Sequence, residues 1–133
     1  MEVAAPVPGA PQRLRVLVVE DDPTTLSVAL DTLETLGHWA TGVKSAEIAL
    51  DRFFESAFDV VMIDIGLPAL SGRQLAEKLQ ARHRVPVIFC TAEAEPMAPS
   101  AGRLWLCKPY SIAQLSNALA NACSLLKRPS GTA

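Results

Sequence analysis

Apolar residues are spaced along this chain in two alternating ways. Short, nearly unbroken apolar runs occur at Arg15–Val19, Asp59–Ile63, Val85–Cys90 and Leu104–Cys107. Their length and their content of Val and Ile predict strands buried on both faces, and His38–Val43 reads as a weaker strand, second in chain order. Between the runs, apolar side chains return at helical spacing. The stripes are Leu26, Leu30, Leu33 and Leu36, then Ile48, Ala49, Leu50 and Phe53, then Leu75 and Leu79, and finally Ile112, Leu115, Leu119, Ala122 and Leu126. Strands alternating with helical segments predict βαβ units and a parallel sheet.

Punctuation residues fall where such units need them. Pro23 suits the first turn of a helix and Gly37 its end, while Ser45 can cap the second helix. A loop with Gly66, Pro68 and Gly72 leads into a helix over Ser71–Arg82, and Pro86 is tolerable near the start of a strand. Glu93–Arg103 is different. Pro96, Pro99 and Gly102 fall within it, so the fourth helix is expected to be short or degenerate. The last helix is predicted over Ser111–Leu126. Residues 1–12, with three prolines and a glycine in Ala4–Gln12, read as a flexible arm, 13–127 as the folded domain and 128–133 as a flexible tail. No internal repeat is visible.

A length of 133 residues is that of one ordinary domain, and 50% hydrophobic with 20% charged residues describes a globular protein. The net charge is −2 and the Lys and Arg residues are scattered, so the basic footprint of a nucleic-acid binder is missing. Neither a membrane-length apolar stretch nor a secretory signal pattern in Met1–Gln12 is present, which gives cytoplasmic as the expected location. Cys90, Cys107 and Cys123 lack zinc or disulfide spacing and read as small buried hydrophobes. A redox bridge between Cys90 and Cys107, on strands expected to be neighbours, is a minor alternative.

The unusual polar residues share one position in this scheme. Glu20 and Asp21 follow the first strand, Asp64 the third, Thr91 the fourth and Lys108 the fifth. The carboxyl edge of an open α/β sheet is where ligands bind. Glu20 and Asp21 taken alone read equally well as carboxylates at a helix start, Asp64 as a turn residue and Lys108 as an ordinary surface lysine. Together they make a constellation. Three carboxylates within about 4 Å of one another repel by several kcal/mol even at an effective dielectric near 20, and so call for a cation. All-oxygen ligands suit Mg²⁺. Asp64 can then attack phosphorus as a nucleophile, with Lys108 and the Thr91 hydroxyl neutralising phosphoryl oxygens beside the metal. His38 and His83 stand alone and receive no catalytic part.

Four motifs, Val18-Val19-Glu20-Asp21-Asp22, Asp64-Ile65-Gly66-Leu67-Pro68 through Gly72, Thr91-Ala92 and Lys108-Pro109-Tyr110, resemble the response-regulator receiver domain of two-component signalling. The resemblance spans about Leu14 to Leu126. It implies a flavodoxin-like doubly wound fold, five parallel strands in the order 2-1-3-4-5, the order that family also illustrates in general accounts of the fold. It further implies that Asp64 is phosphorylated, that Asp21 binds Mg²⁺ directly and Glu20 through water, and that the Gly66 carbonyl is the third ligand. Lys108 is then the partner of the phosphoryl group, and Thr91 moves towards it. The family couples that threonine to an aromatic residue three positions before the lysine, here Trp105, whose indole N–H is expected to keep it partly exposed. The stretch from Thr91 to Lys108 is several residues shorter than a full helix with its loops requires. This departure affects the fourth helix, on which many relatives dimerise or dock.

The implied function is phospho-acceptance from a sensor histidine kinase or a histidine phosphotransfer protein. The domain would then be a switch that catalyses only its own phosphorylation and dephosphorylation, either alone or within a hybrid sensor kinase. A weak homodimer is a further possible partner state, and neither nucleic acid nor membrane is expected. The rival readings are a pseudo-receiver that binds partners without phosphorylation, a flavin electron carrier and an aspartate-based phosphatase. The flavin reading fails on Glu20-Asp21-Asp22-Pro23, where a Ser/Thr- and Gly-rich phosphate loop is needed. The phosphatase reading lacks a second acid two residues after Asp64, a place held by Gly66.

Overall fold

The computed structural model describes residues 13–53, 57–67, 71–92 and 102–127. Its elements are β1 (Arg15–Val19), α1 (Pro23–Thr35), β2 (Trp39–Val43), α2 (Ala46–Arg52), β3 (Val60–Asp64), α3 (Gly72–Arg82), β4 (Val87–Thr91), β5 (Arg103–Cys107) and α4 (Ile112–Lys127). The strands form one parallel sheet in the order β2-β1-β3-β4-β5. This is the flavodoxin-like doubly wound topology, and it reverses direction between β1 and β3, where a crevice opens at the carboxyl edge.

Because successive strand residues face opposite ways, each strand feeds two cores. Val16, Val18, Val60, Met62, Ile88 and Leu106 pack with Leu26, Ala29 and Leu33 of α1 and Leu115, Leu119 and Ala122 of α4. On the other face, Leu17, Val19, Val61, Ile63, Val87 and Phe89 pack with Ala46 and Ala49 of α2, with Phe53 just after it, and with Leu75, Ala76 and Leu79 of α3. The unbroken apolar runs of the sequence are therefore accounted for by burial on both faces.

Side chains cap the helices. Asp22 accepts from the Thr25 N–H (2.8 Å) and hydroxyl (2.7 Å) before Pro23 opens α1. Ser45 accepts from the Ile48 N–H at 3.1 Å. Ser71 and Gln74 form a reciprocal capping box at α3. Gly37 follows α1 at φ +93°, a conformation that favours glycine. At the amino edge of the sheet, the Arg15 guanidinium and backbone N–H both bond to Asp59, and the buried His38 accepts the Leu14 N–H through Nδ1 at 3.0 Å.

Several expected details change. β3 spans Val60–Asp64, so Asp64 is the last residue of the strand rather than the first beyond it, while Asp59 turns its carboxylate to Arg15. β4 spans Val87–Thr91, which makes Thr91 its last residue. Ile48 is 41% exposed, since the short α2 buries only Ala46 and Ala49. Ile112 is 54% exposed because it opens α4 before the helix reaches the sheet at Leu115. Of the cysteines only Cys90 is buried. Cys107 is exposed, Cys123 is intermediate and all three are free, so no Cys90–Cys107 bridge is present. The arm, the tail, Pro68, the side chain of Leu126 and residues 93–101, where the degenerate helix is expected, lie outside the described residues.

Candidate functional site at the carboxyl edge of the sheet

Sheet register assembles the site. Glu20 directly follows β1 and extends its pairing by donating its N–H to the Val43 carbonyl at 3.0 Å. Asp64 closes β3 opposite Cys90, and Thr91 closes β4 opposite Cys107, which places Lys108 one residue beyond the edge. The Lys108 N–H donates to the Thr91 carbonyl at 2.6 Å, and the Lys108–Pro109 peptide is cis.

Glu20, Asp21 and Asp64 each offer a carboxylate oxygen, and all three oxygens lie within 4.8 Å of one another. Glu20 is buried, Asp64 half-buried and Asp21 exposed. Lys108 Nζ is 2.9 Å from Glu20 Oε1 and 3.8 Å from Asp64 Oδ1. The second Glu20 oxygen accepts the Asp22 N–H at 3.2 Å, and Asp64 Oδ1 accepts the Gly66 N–H at 3.2 Å. Glu20, Asp64 and Lys108 therefore converge within ion-pair range, Asp21 adds a third carboxylate beside them, and Gly66 borders the group. Thr91 is buried beside them at the end of β4. Trp105, half-buried as expected, packs its ring on Phe89 with centroids 4.9 Å apart.

The electrostatics favour an added cation. Burial raises the pKa of Glu20, with help from the Asp64 charge, against the opposing effects of Lys108 and the Asp22 N–H. Burial pulls the Lys108 pKa down, but its hydrogen bond to Glu20 and the charges of Asp64 and Glu20 outweigh this and hold it above its ordinary value. Lys108 is thus a firm ammonium, whereas Glu20 is harder to ionise than a free glutamate. One ammonium cannot balance three carboxylates. The donor set, all hard oxygens with Asp21 open to solvent, fits Mg²⁺.

Two features of the site are not visible in the sequence reading. Glu20 pairs directly with Lys108. Tyr110, from the Lys-Pro-Tyr motif, packs against the core beside Cys90, and burial pushes its hydroxyl pKa up to about 12. An aromatic residue two positions after a site lysine was its only signal.

Comparisons with known proteins agree with this geometry. The family described as response regulator receiver domain matches residues 16–120. The Bordetella pertussis virulence sensor protein BvgS is 40% identical over 83 residues, 62% of this chain and 7% of BvgS. The sensory transduction protein RegX3 of Mycolicibacterium smegmatis is 34% identical over 105 residues, 75% of this chain and 46% of RegX3. The chain thus spans less than half the length of these curated relatives. In three dimensions it superposes on the Thermotoga maritima response regulator TrrA, solved in complex with Mg²⁺-BeF, with a TM-score of 0.73 and 24% identity, covering 81% of this chain and 97% of that one. With its fold, sheet order and acidic edge in place, the chain belongs to the response regulator receiver domain family.

Proposed function

We propose that this domain accepts a phosphoryl group on Asp64 from the phosphohistidine of a sensor kinase or a histidine phosphotransfer protein, and that the modification switches a partner-binding face. The observation that carries this reading is the set of three carboxylate oxygens within 4.8 Å of one another, bordered by Lys108. Mg²⁺ would be held by Asp21, Asp64 and the Gly66 carbonyl, and by Glu20 through water. Both Glu20 oxygens already have partners, which suits an indirect role. When bound, the ion supplies charge neutralisation to the phosphoryl oxygens. In the transfer, the N–P bond of the phosphohistidine breaks with its electron pair staying on the imidazole, and an Asp64 oxygen forms the new O–P bond. Lys108 turns from Glu20 to the phosphoryl group, and the Thr91 hydroxyl donates to another of its oxygens. Thr91 and Trp105 then change arrangement together.

A donor must bring its histidine to this edge. A largely apolar recess of about 510 Å³ lies beside Lys108, lined by Thr24, Thr25, Val28, Pro109, Tyr110 and Ile112, with Val28 59% and Ile112 54% exposed. Such a surface suits docking of another helical protein. The chemistry is confined to the domain's own phosphorylation and dephosphorylation, so the protein is a switch, not an enzyme for a separate substrate.

The test is intact mass after incubation with Mg²⁺ and acetyl phosphate or phosphoramidate. Wild type is expected to gain one phosphoryl group only when Mg²⁺ is present, and Asp64→Asn none. Absence of any gain, together with absence of Mg²⁺ binding, would replace this reading with a phosphorylation-independent interaction module.

A further inference from the structure

α3 is attached to β5 at both of its ends. Near its start, the Arg73 guanidinium lies over the Trp105 ring, 5.0 Å from the centroid. Near its end, Gln80 Nε2 donates to the carbonyls of Val85 (2.9 Å) and Gly102 (3.0 Å), and Arg103 Nε donates to Gln80 Oε1 (2.9 Å). The start of α3 also lies directly behind the acceptor. A Cβ built on Gly72 would meet the Asp64 carbonyl oxygen at 2.7 Å and the Ile65 Cα at 2.9 Å, so backbone rests on backbone there. Arg73 is the next residue, and it is the first cation of the helix.

From this chain of contacts we infer that Arg73 is a positioning residue of the switch: it holds Trp105 in its present stack, and modification of Asp64 shifts that stack through the first turn of α3. This rests on the function proposed above. An aspartyl phosphate replaces the single charge of the Asp64 carboxylate with close to two on the phosphoryl oxygens, a net gain of about one negative charge at the residue against which Gly72 is packed. A guanidinium on an indole face is held by the ring quadrupole, an attraction of modest size at a solvent-exposed site. New negative charge beside the helix start therefore competes with the ring for the Arg73 cation. As the cation leaves, Trp105 loses a contact on its α3 side while keeping Phe89. The route from acceptor to Trp105 is short and runs through α3, independently of whatever residues 93–101 form.

Trp39 and Trp105 are the two tryptophans, so a Trp39→Phe background isolates Trp105 emission. In that background the parent, Arg73→Gln and Arg73→Lys are compared before and after acetyl phosphate with Mg²⁺, with intact mass read on the same samples. All three should gain the phosphoryl group to the same extent. The parent emission should shift on phosphorylation, Arg73→Gln should show a response at least threefold smaller, and Arg73→Lys, which keeps the cation, an intermediate one. A purely structural Arg73 would lower stability yet leave the emission response intact. A full response in Arg73→Gln would overturn the inference, as would a phosphorylated parent with unchanged emission. If the parent gains no mass, the proposed function itself falls and takes this inference with it, an outcome the mass reading separates from the other two.

Discussion

His38 illustrates how a single buried side chain can tie stability to pH. Its Nδ1 accepts the Leu14 N–H, which requires that nitrogen to be unprotonated. Burial first, and then the nearby Arg13 charge, lowers its pKa below the ordinary value of 6.5. Between the folded pKa and 6.5 the unfolded chain binds a proton that the folded chain refuses, so stability rises with pH in that window and falls on acidification. From pH 7.5 to pH 6 the loss should be on the order of 0.5 kcal/mol after allowance for solvent screening. Urea midpoints at the two pH values check this, and in His38→Gln the difference should vanish. An equal difference in both proteins would assign the effect to other groups. None of this was legible in the sequence, where a lone histidine at a strand start gives no sign of which backbone group it meets.

At the scale of elements, α3 matters most because it begins beside Asp64. Ser71→Ala removes one half of its capping box and should cost about 1 kcal/mol in urea unfolding. Faster amide exchange is expected at Gln74, whose N–H loses its acceptor, with the far end of the helix unaffected. Uniformly faster exchange would show that the cap stabilises the whole domain and not the first turn. Strands were the most legible elements, since Val16–Val19 and Val60–Ile63 are apolar on both faces and only a doubly covered parallel sheet satisfies that pattern. Helix faces were less legible. Ile48 and Ile112 fit the helical period but miss the core, because period alone does not say where a helix first touches the sheet. The acids and Lys108 were readable from strand ends, whereas the Glu20–Lys108 pairing depends on side-chain reach across two strands. Arg73 carried no signal, because its partner Trp105 is contributed by β5, far along the chain from α3.

For the whole molecule, the sheet divides the interior into two separate cores. Leu33 of α1 is fully buried in one and Leu79 of α3 almost fully in the other. Each truncated to Ala should cost about 2–5 kcal/mol. With no shared neighbours, the two costs should add to within about 0.5 kcal/mol in the double variant, and a larger departure would mean that the sheet transmits strain from face to face. The same layered plan also governs how the domain can be joined to others. β1 starts at the amino edge of the sheet, and α4, which starts beyond β5 at the carboxyl edge, runs back towards the amino edge. The two ends of the described fold, at β1 and at the close of α4, therefore lie on the side opposite the acids. The fold thus resembles a plug, with the acids and Lys108 on its rim and both described ends at its base. A change at the rim would have to cross the full depth of the sheet to be felt by anything joined at the base.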